Sequence, residues 1–249
     1  MIHKAFCTTV CILLTTPFLF SQPQIIAHRG YWNTEGSAQN SRSSVQNAIR
    51  LGCYGAEVDI YLTTDNQLVL FHDTAIQGVR LDESTYKELL KHSLPNGETL
   101  PLLDEILPLI VASESTKLII EIKPHNRPDK EKSAVEKTLE LVDKAGAGNL
   151  VEYISFSTYI CESLIQSNPK AKVAFLGGSL SPDQLKEKGY AGLDYNMSVL
   201  RKNPEWIARA KELGLTTNVW TVNKPKDFQY FMSAGVDFIT TDNPGFGYR

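Results

Sequence analysis

From residue 24 onward the chain alternates two textures. Short apolar runs rich in β-branched residues give way to longer stretches whose apolar positions recur at helical spacing. The apolar runs predict strands at Gln24–Ala27, Gly55–Ile60, Leu68–Phe71, Lys117–Ile122, Val151–Phe156, Lys172–Phe175, Gly192–Tyr195, Thr216–Trp220 and Phe238–Thr241. The helical stretches predict Ser41–Leu51, Ser84–Lys91, Leu102–Ala112, Asp129–Ala145, Ser157–Gln166, Ser181–Lys188, Asn203–Leu213 and Lys226–Ala234. Ser157 and Ser181 stand where N-caps belong, and Gly146 and Gly214 follow helix ends. Strand–helix alternation of this kind is the signature of parallel βαβ units. Nine strands and eight helices predict an α/β fold, a (β/α)8 TIM barrel with one strand to spare. The rhythm breaks at Tyr61–Gln67 (YLTTDNQ), which is too short for a crossover helix. The chain there makes either a hairpin turn or an extended return segment, so the barrel is distorted near its second and third strands. An open doubly wound sheet also fits the alternation, but it calls for a glycine-rich nucleotide turn after the first strand. HRGYWNTEG (28–36) is not one.

Before residue 22 the texture differs. Lys4 precedes a mostly apolar stretch, Phe6 to Phe20, followed by Ser21-Gln22-Pro23. A positive start, a short apolar core and a small residue near its end predict a signal peptide over 1–21, leaving 22–249 as one barrel domain. Pro17 and several threonines make a poor spanning helix, so a membrane anchor is the weaker reading and no stable membrane insertion is expected after cleavage. The protein is expected to be exported, to a periplasmic or extracellular location. Two of the four cysteines fall within the leader. Cys53 and Cys161 are too few for a disulfide framework, and whether they pair is left open. With 42% hydrophobic residues, 21% charged residues and a net charge of −3, the chain has an ordinary globular composition and no basic stripe for nucleic acid.

The candidate chemistry lies where predicted strands end, the face on which barrels of this class carry their active residues. The first strand finishes in His28-Arg29, the second carries Glu57-Val58-Asp59, the third runs into His72-Asp73, and the fourth carries Glu121-Ile122-Lys123. The eighth ends in Trp220-Thr221-Val222-Asn223. Residues two apart on a strand face the same way, so Glu57 pairs with Asp59 and Glu121 with Lys123. Three carboxylates converging on one barrel mouth repel unless a cation joins them, and all-oxygen ligation suits one divalent cation, Mg²⁺ or Ca²⁺, rather than zinc. A metal with Arg29 and Lys123 makes a clamp for a phosphoryl group, and two histidines supply a general acid and a general base. That is equipment for displacement at a phosphodiester. No G-x-S-x-G elbow of an acyl hydrolase is present.

AHRG (27–30), GAEVDIYLTTDNQLVLFHD (55–73), EIKP (121–124), NVWTVN (218–223) and GVDFITTDNP (235–244) together closely resemble the glycerophosphodiester phosphodiesterase family, whose fold is similar to that of phosphatidylinositol-specific phospholipase C. The resemblance implies a TIM barrel that hydrolyses glycerophosphodiesters, small deacylated phospholipids, to sn-glycerol 3-phosphate and an alcohol. By the matching positions it implies His28 and His72 as the acid–base pair and Glu57, Asp59 and Glu121 as metal ligands. Arg29 and Lys123 become phosphate contacts, and Trp220 an aromatic wall against the glycerol carbons. It further implies attack by a glycerol hydroxyl through a cyclic phosphate, although the residues themselves are equally compatible with direct attack by water. Where many members carry Pro-Glu-Asn-Thr, this chain has Ala38-Gln39-Asn40-Ser41, so a neutral amide faces Arg29. Thr74–Pro101 leaves no room for a large covering insertion, which implies an open site accepting more than one alcohol. His125 is expected on the surface and His92 at a helix end. Tyr31 and Trp32 either line the pocket mouth or pack on the first helix, and Asn196 is a weak candidate for a substrate contact. The alternatives are a lyase that stops at the cyclic phosphate and a catalytically silent phosphate- or polyol-binding barrel.

Overall fold

In the computed structural model the chain is described from residue 22 to residue 248, so the leader assigned to 1–21 lies outside the described residues. Strand β1 (Gln24–Ala27) runs parallel to β2 (Gly55–Leu62), which doubles back as β3 (Leu68–Leu70), antiparallel to it. A small hairpin, β4 (Ala75–Ile76) with β5 (Val79–Arg80), stands apart from the main sheet. Parallel strands resume with β6 (Lys117–Ile122), β7 (Val151–Ser155), β8 (Val173–Phe175), β9 (Gly192–Asn196), β10 (Thr216–Trp220) and β11 (Phe238–Thr241). Because β11 returns to pair with β1, eight strands (β1, β2 and β6 to β11) close into a ring. The closed ring excludes the open doubly wound sheet. The helices are α1 (Arg42–Leu51), α2 (Tyr86–Leu89), α3 (Leu103–Ser113), α4 (Pro128–Lys144), α5 (Thr158–Ser167), α6 (Pro182–Glu187), α7 (Met197–Lys202), α8 (Glu205–Glu212) and α9 (Pro225–Ala234). Among the described residues no helix is long and apolar enough to cross a membrane.

Strand alternation sorts side chains between two cores. Ala56, Val58 and Ile60 of β2 and Leu118, Ile120 and Ile122 of β6 join Val45 of α1, Ile106 of α3 and other helix side chains in the layer outside the ring. Ile26, Ile119, Ile154 and Leu176 form a separate apolar plug with Trp220 and Phe238. Every residue of β2 is buried, as expected of a barrel strand covered on both faces.

The spare strand is β3. The interruption at Tyr61–Gln67 is a hairpin closed by Thr63 N–H donating to Gln67 O (2.9 Å), with Asn66 in the left-handed region at φ 57°. The hairpin has a positional consequence: Phe71 N–H donates to Asp59 O (3.1 Å), which brings His72 back beside the carboxylates of β2.

The expected caps are present. Ser157 and Ser181 accept from Ile160 N and Gln184 N, and Gly146 and Gly214 adopt left-handed φ angles of 65° and 69°. Other elements depart from the pattern. The helix expected over Ser84–Lys91 shrinks to the single turn α2, capped by Thr85 and Glu88, and α7 was not foreseen. The β4–β5 hairpin was also missed; Gln77 and Gly78, both at positive φ, make its turn. The segment from Thr74 to Pro101 folds on a small core of its own, with Ile76, Leu81, Leu89, Leu94 and Leu100 against Tyr61 and Val69. His125 is not a surface residue: it is 9% exposed, its Nε2 accepts from Leu62 N–H (3.3 Å), and its ring meets that of Tyr61 edge-on. Cys53 and Cys161 are both buried and keep their thiols.

The turn after β1 sets the position of the site. Arg29 and Gly30 both take left-handed φ angles (55° and 72°), and Gly30 N–H donates to Glu57 O at 2.9 Å. A Cβ on Gly30 would lie 2.3 Å from Ser44 Oγ. Gly30→Ala therefore combines a left-handed backbone with a clash against α1. It is expected to cost about 2–4 kcal/mol in urea unfolding, and an unchanged midpoint would contradict this account of the turn.

Candidate active site

The strand ends deliver their ionisable side chains to one cleft at the mouth of the ring. The cleft encloses about 510 Å³, open mouth included, and is lined by His28, Arg29, Glu57, His72, Glu121, Lys123 and Trp220 together with Ile154, Phe156 and Asp194. Asp59 sits just beneath this lining, 1% exposed. Glu57, Asp59 and Glu121 are all buried, and each offers an oxygen within 4.8 Å of the others.

Three carboxylates this close cannot all stay ionised without compensation, and the protein supplies part of it. Lys123 Nζ lies 2.7 Å from Asp59 Oδ1 and 2.7 Å from Glu121 Oε1. Asp59 also accepts from Asn40 Nδ2 (2.8 Å), while its own N–H donates to Asn40 Oδ1 (2.9 Å). Arg29 Nε stands 3.7 Å from Asp59 Oδ2, and Arg29 N–H donates to Glu57 Oε2 at 2.7 Å. Burial alone would push Asp59 up, but Lys123 and Asn40 hold its carboxyl below the usual range. Burial also works against the Lys123 ammonium, which Asp59 and Glu121 nonetheless hold above the ordinary lysine value. Glu57 goes the other way: burial and the neighbouring Asp59 and Glu121 charges push it well up. Burial and the Asp59 charge likewise push Glu121 up to about 8. Lys123 and Arg29 offset part of this negative charge, and a divalent ion would offset what remains. An all-oxygen set of this kind fits Mg²⁺ or Ca²⁺.

The two histidines are oriented alike. His28 Nδ1 donates to Asp242 Oδ1 (2.8 Å), leaving Nε2 as its other ring nitrogen. Asp242 is itself held by Trp32 Nε1–H (3.0 Å) and Asn223 Nδ2–H (2.5 Å). His72 Nδ1 donates to Asp73 Oδ1 (2.7 Å), and burial lowers the basicity of its ring. Arg29 Nη1 donates to Gln39 Oε1 at 2.7 Å, so the neutral amide keeps the hydrogen bond that a glutamate would have made. Trp220 is fixed by Nε1–H donating to the Asp194 carbonyl (2.9 Å), and its ring meets Phe156 edge-on at 5.8 Å.

All eight predicted positions thus gather at this cleft. Asn196 is occupied differently, as the cap of α7 accepting from Ser198 N–H. Trp32 reaches Asp242, while Tyr31 packs on the core around α1. Sequence reasoning missed Asp242, Asn223 and Asn40 as supports. Asp242 stands just past the last strand as His28 stands just past the first, and that parallel was the available signal.

A model of the glycerophosphoryl diester phosphodiesterase family matches residues 28–246. Among curated proteins, a glycerophosphodiester phosphodiesterase of Caldanaerobacter subterraneus subsp. tengcongensis is 26% identical over 238 residues, covering 88% of this chain and 94% of the relative. One from Bacillus altitudinis is 27% identical, covering 89% and 95%. Among solved structures, a glycerophosphodiester phosphodiesterase from Parabacteroides distasonis superposes with a TM-score of 0.90 at 44% identity, covering 91% of this chain and 95% of that one. An Oleispira antarctica phosphodiesterase in complex with sn-glycerol 3-phosphate gives 0.79 at 22% identity, with coverage of 91% and 96%. The closed barrel with its cleft of carboxylates and histidines is that of a phosphodiesterase. The chain belongs to the glycerophosphoryl diester phosphodiesterase family.

The raised carboxyl of Glu121 has a measurable consequence. Unfolded, a glutamate keeps its proton only below about 4.5; folded and metal-free, Glu121 keeps it up to about 8. Between those values the folded state binds more protons, so metal-free stability falls as pH rises through this window and levels off above it. A divalent cation displaces those protons, so it stabilises more at higher pH. Melting temperatures in EDTA and in excess Mg²⁺ or Ca²⁺, taken from pH 5 to 9, are expected to diverge toward the alkaline end. A cation effect equal at every pH would contradict the cluster as its binding site.

Proposed function

We propose that this enzyme hydrolyses small deacylated glycerophosphodiesters to sn-glycerol 3-phosphate and an alcohol, using His28 and His72 as its acid–base pair. The observation that carries this reading is the arrangement of the cleft. Two imidazoles, each oriented by a carboxylate, stand in one opening with the Glu57–Asp59–Glu121 cluster, Arg29 and Lys123. Glu57, Asp59 and Glu121 would hold one Mg²⁺ or Ca²⁺, which when bound polarises a phosphoryl oxygen. Arg29 and Lys123 neutralise charge on the phosphate. Trp220 lies against the glycerol carbons.

His28, oriented by Asp242, takes the proton from the attacking hydroxyl of glycerol. A P–O bond forms to that hydroxyl and the P–O bond to the leaving alcohol breaks. His72, beside an open groove, donates the proton that the departing alkoxide requires. The resulting cyclic phosphate is opened by water with the two histidines in exchanged roles, which restores both. An open groove beside His72, bounded by Tyr61, Asp73, Thr74, Pro124 and Phe156, gives the leaving alcohol a path with little to constrain its size. The product named in the Oleispira antarctica complex is the product expected here. The leader pattern of residues 1–21 supports a location outside the cytoplasm.

The test is release of sn-glycerol 3-phosphate from glycerophosphocholine by purified protein, in EDTA and after Mg²⁺ or Ca²⁺ is restored. Turnover is expected only with the cation, and His28→Ala or His72→Ala is expected to lower it about 10²- to 10⁴-fold. Accumulation of cyclic phosphate as end product would replace the hydrolase with a lyase. Absence of turnover with either cation would favour a silent binding barrel.

A further inference from the structure

The cleft has a chemically divided interior. The charged groups stand together on β1, β2, β6 and the end of the β2–β3 hairpin, while Ile154, Phe156, Leu176 and Trp220 form an apolar wall. Below them the lining of the ring is itself two-sided. β1, β6, β7 and the end of β8 contribute Ile26, Ile119, Ile154 and Leu176. β9, β10 and β11 contribute Asp194, Asn218 and Thr240, with Asp194 and Asn218 directly opposite in register. Asn218 Nδ2 donates to Thr240 Oγ1 at 2.8 Å. Neither Asp194 Oδ1 nor Asn218 Oδ1 receives a hydrogen bond among the described residues, although Asp194 is 3% exposed. Of the two, only Asp194 borders the cleft. The same residue holds the wall in place, since its carbonyl accepts from Trp220 Nε1–H.

A buried carboxyl with an oxygen lacking a donor is costly unless a ligand supplies one. Glycerol attached through one end has carbons for the apolar wall and, at its far end, a hydroxyl that can donate. We propose that Asp194 is a specificity-determining residue, accepting a hydrogen bond from the glycerol hydroxyl farthest from the phosphate and so selecting diesters in which that hydroxyl is free. This rests on the phosphodiesterase reading above. An acyl ester at that position has no proton to give and would carry its chain against the plug, so 1-acyl lysophospholipids are excluded. Burial pushes the Asp194 carboxyl up to about 7, opposed by Asn218, so at pH 8 it stands mainly as the acceptor.

The experiment compares two substrates at pH 8 with Mg²⁺ or Ca²⁺, whichever supports turnover. One is glycerophosphocholine; the other is its counterpart built on propane-1,2-diol, which keeps the hydroxyl next to the phosphoester and lacks the terminal one. The unmodified enzyme is expected to favour the glycerol substrate in kcat/KM by about 10- to 100-fold, the range of a hydrogen bond to a charged group. In Asp194→Leu that preference collapses toward unity through loss on the glycerol substrate, while turnover of the propanediol substrate persists and reports an intact barrel. Asp194→Asn, which keeps an acceptor without the charge, is expected to reduce the preference about fivefold, and it decides the matter if the leucine variant does not fold. A preference unchanged in the folded variants overturns the role of Asp194 alone. No turnover of either substrate by the unmodified enzyme overturns the phosphodiesterase reading and this inference with it.

Discussion

The ion pairs of Lys123 are the constraint on which the rest of the site depends. Its ammonium reaches Asp59 and Glu121 at 2.7 Å each, in a place where three carboxylates are buried together. Without that charge the ends of β2 and β6 would carry three mutually repelling groups into a medium that screens them poorly. With it, Asp59 stays ionised while Glu57 and Glu121 are left short of a counter-charge. The protein thus balances the cluster partway and leaves a negative excess that a hard divalent ion would offset. The same lysine lines the cleft, so one side chain would serve both the folded state and the phosphate contact proposed for it.

Geometry explains why these groups meet. A parallel barrel points residues of alternate strand positions inward at every staggered level. Asp59 and Glu121 are Cα partners across β2 and β6, so the contact through Lys123 follows from register. His72 arrives by a different route. The β2–β3 hairpin replaces a crossover helix and folds the chain back to the level of Asp59, a detour that a regular repeat would not make.

Much of this is legible in the chain because it is local. Apolar runs and helical spacing mark all eight ring strands, and the i, i+2 rule alone places Glu57 with Asp59 and Glu121 with Lys123. The hairpin at Tyr61–Gln67 is visible only as a break, since turn and extended return have similar composition and differ in hydrogen bonding. His125 reads as a loop histidine among charges, yet Tyr61 and the Leu62 amide enclose it from distant parts of the sequence. Asp242 and Asn40 escape for the same reason: their partners are brought near by closure of the ring and by the turn after β1. Local pattern carries the strands and the chemistry they bear, while the supports that orient that chemistry are non-local.

The bond between His28 and Asp242 joins residues 214 positions apart, the first outside the opening strand and the second outside the closing one. Those two strands are also the seam at which the ring shuts. A chain that stops short of β11 can contain the whole carboxylate cluster and both histidines and yet leave His28 unaligned. That alignment therefore depends on β11 closing on β1. Fraying at this one seam would free the His28 imidazole from Asp242 while most of the core remained intact.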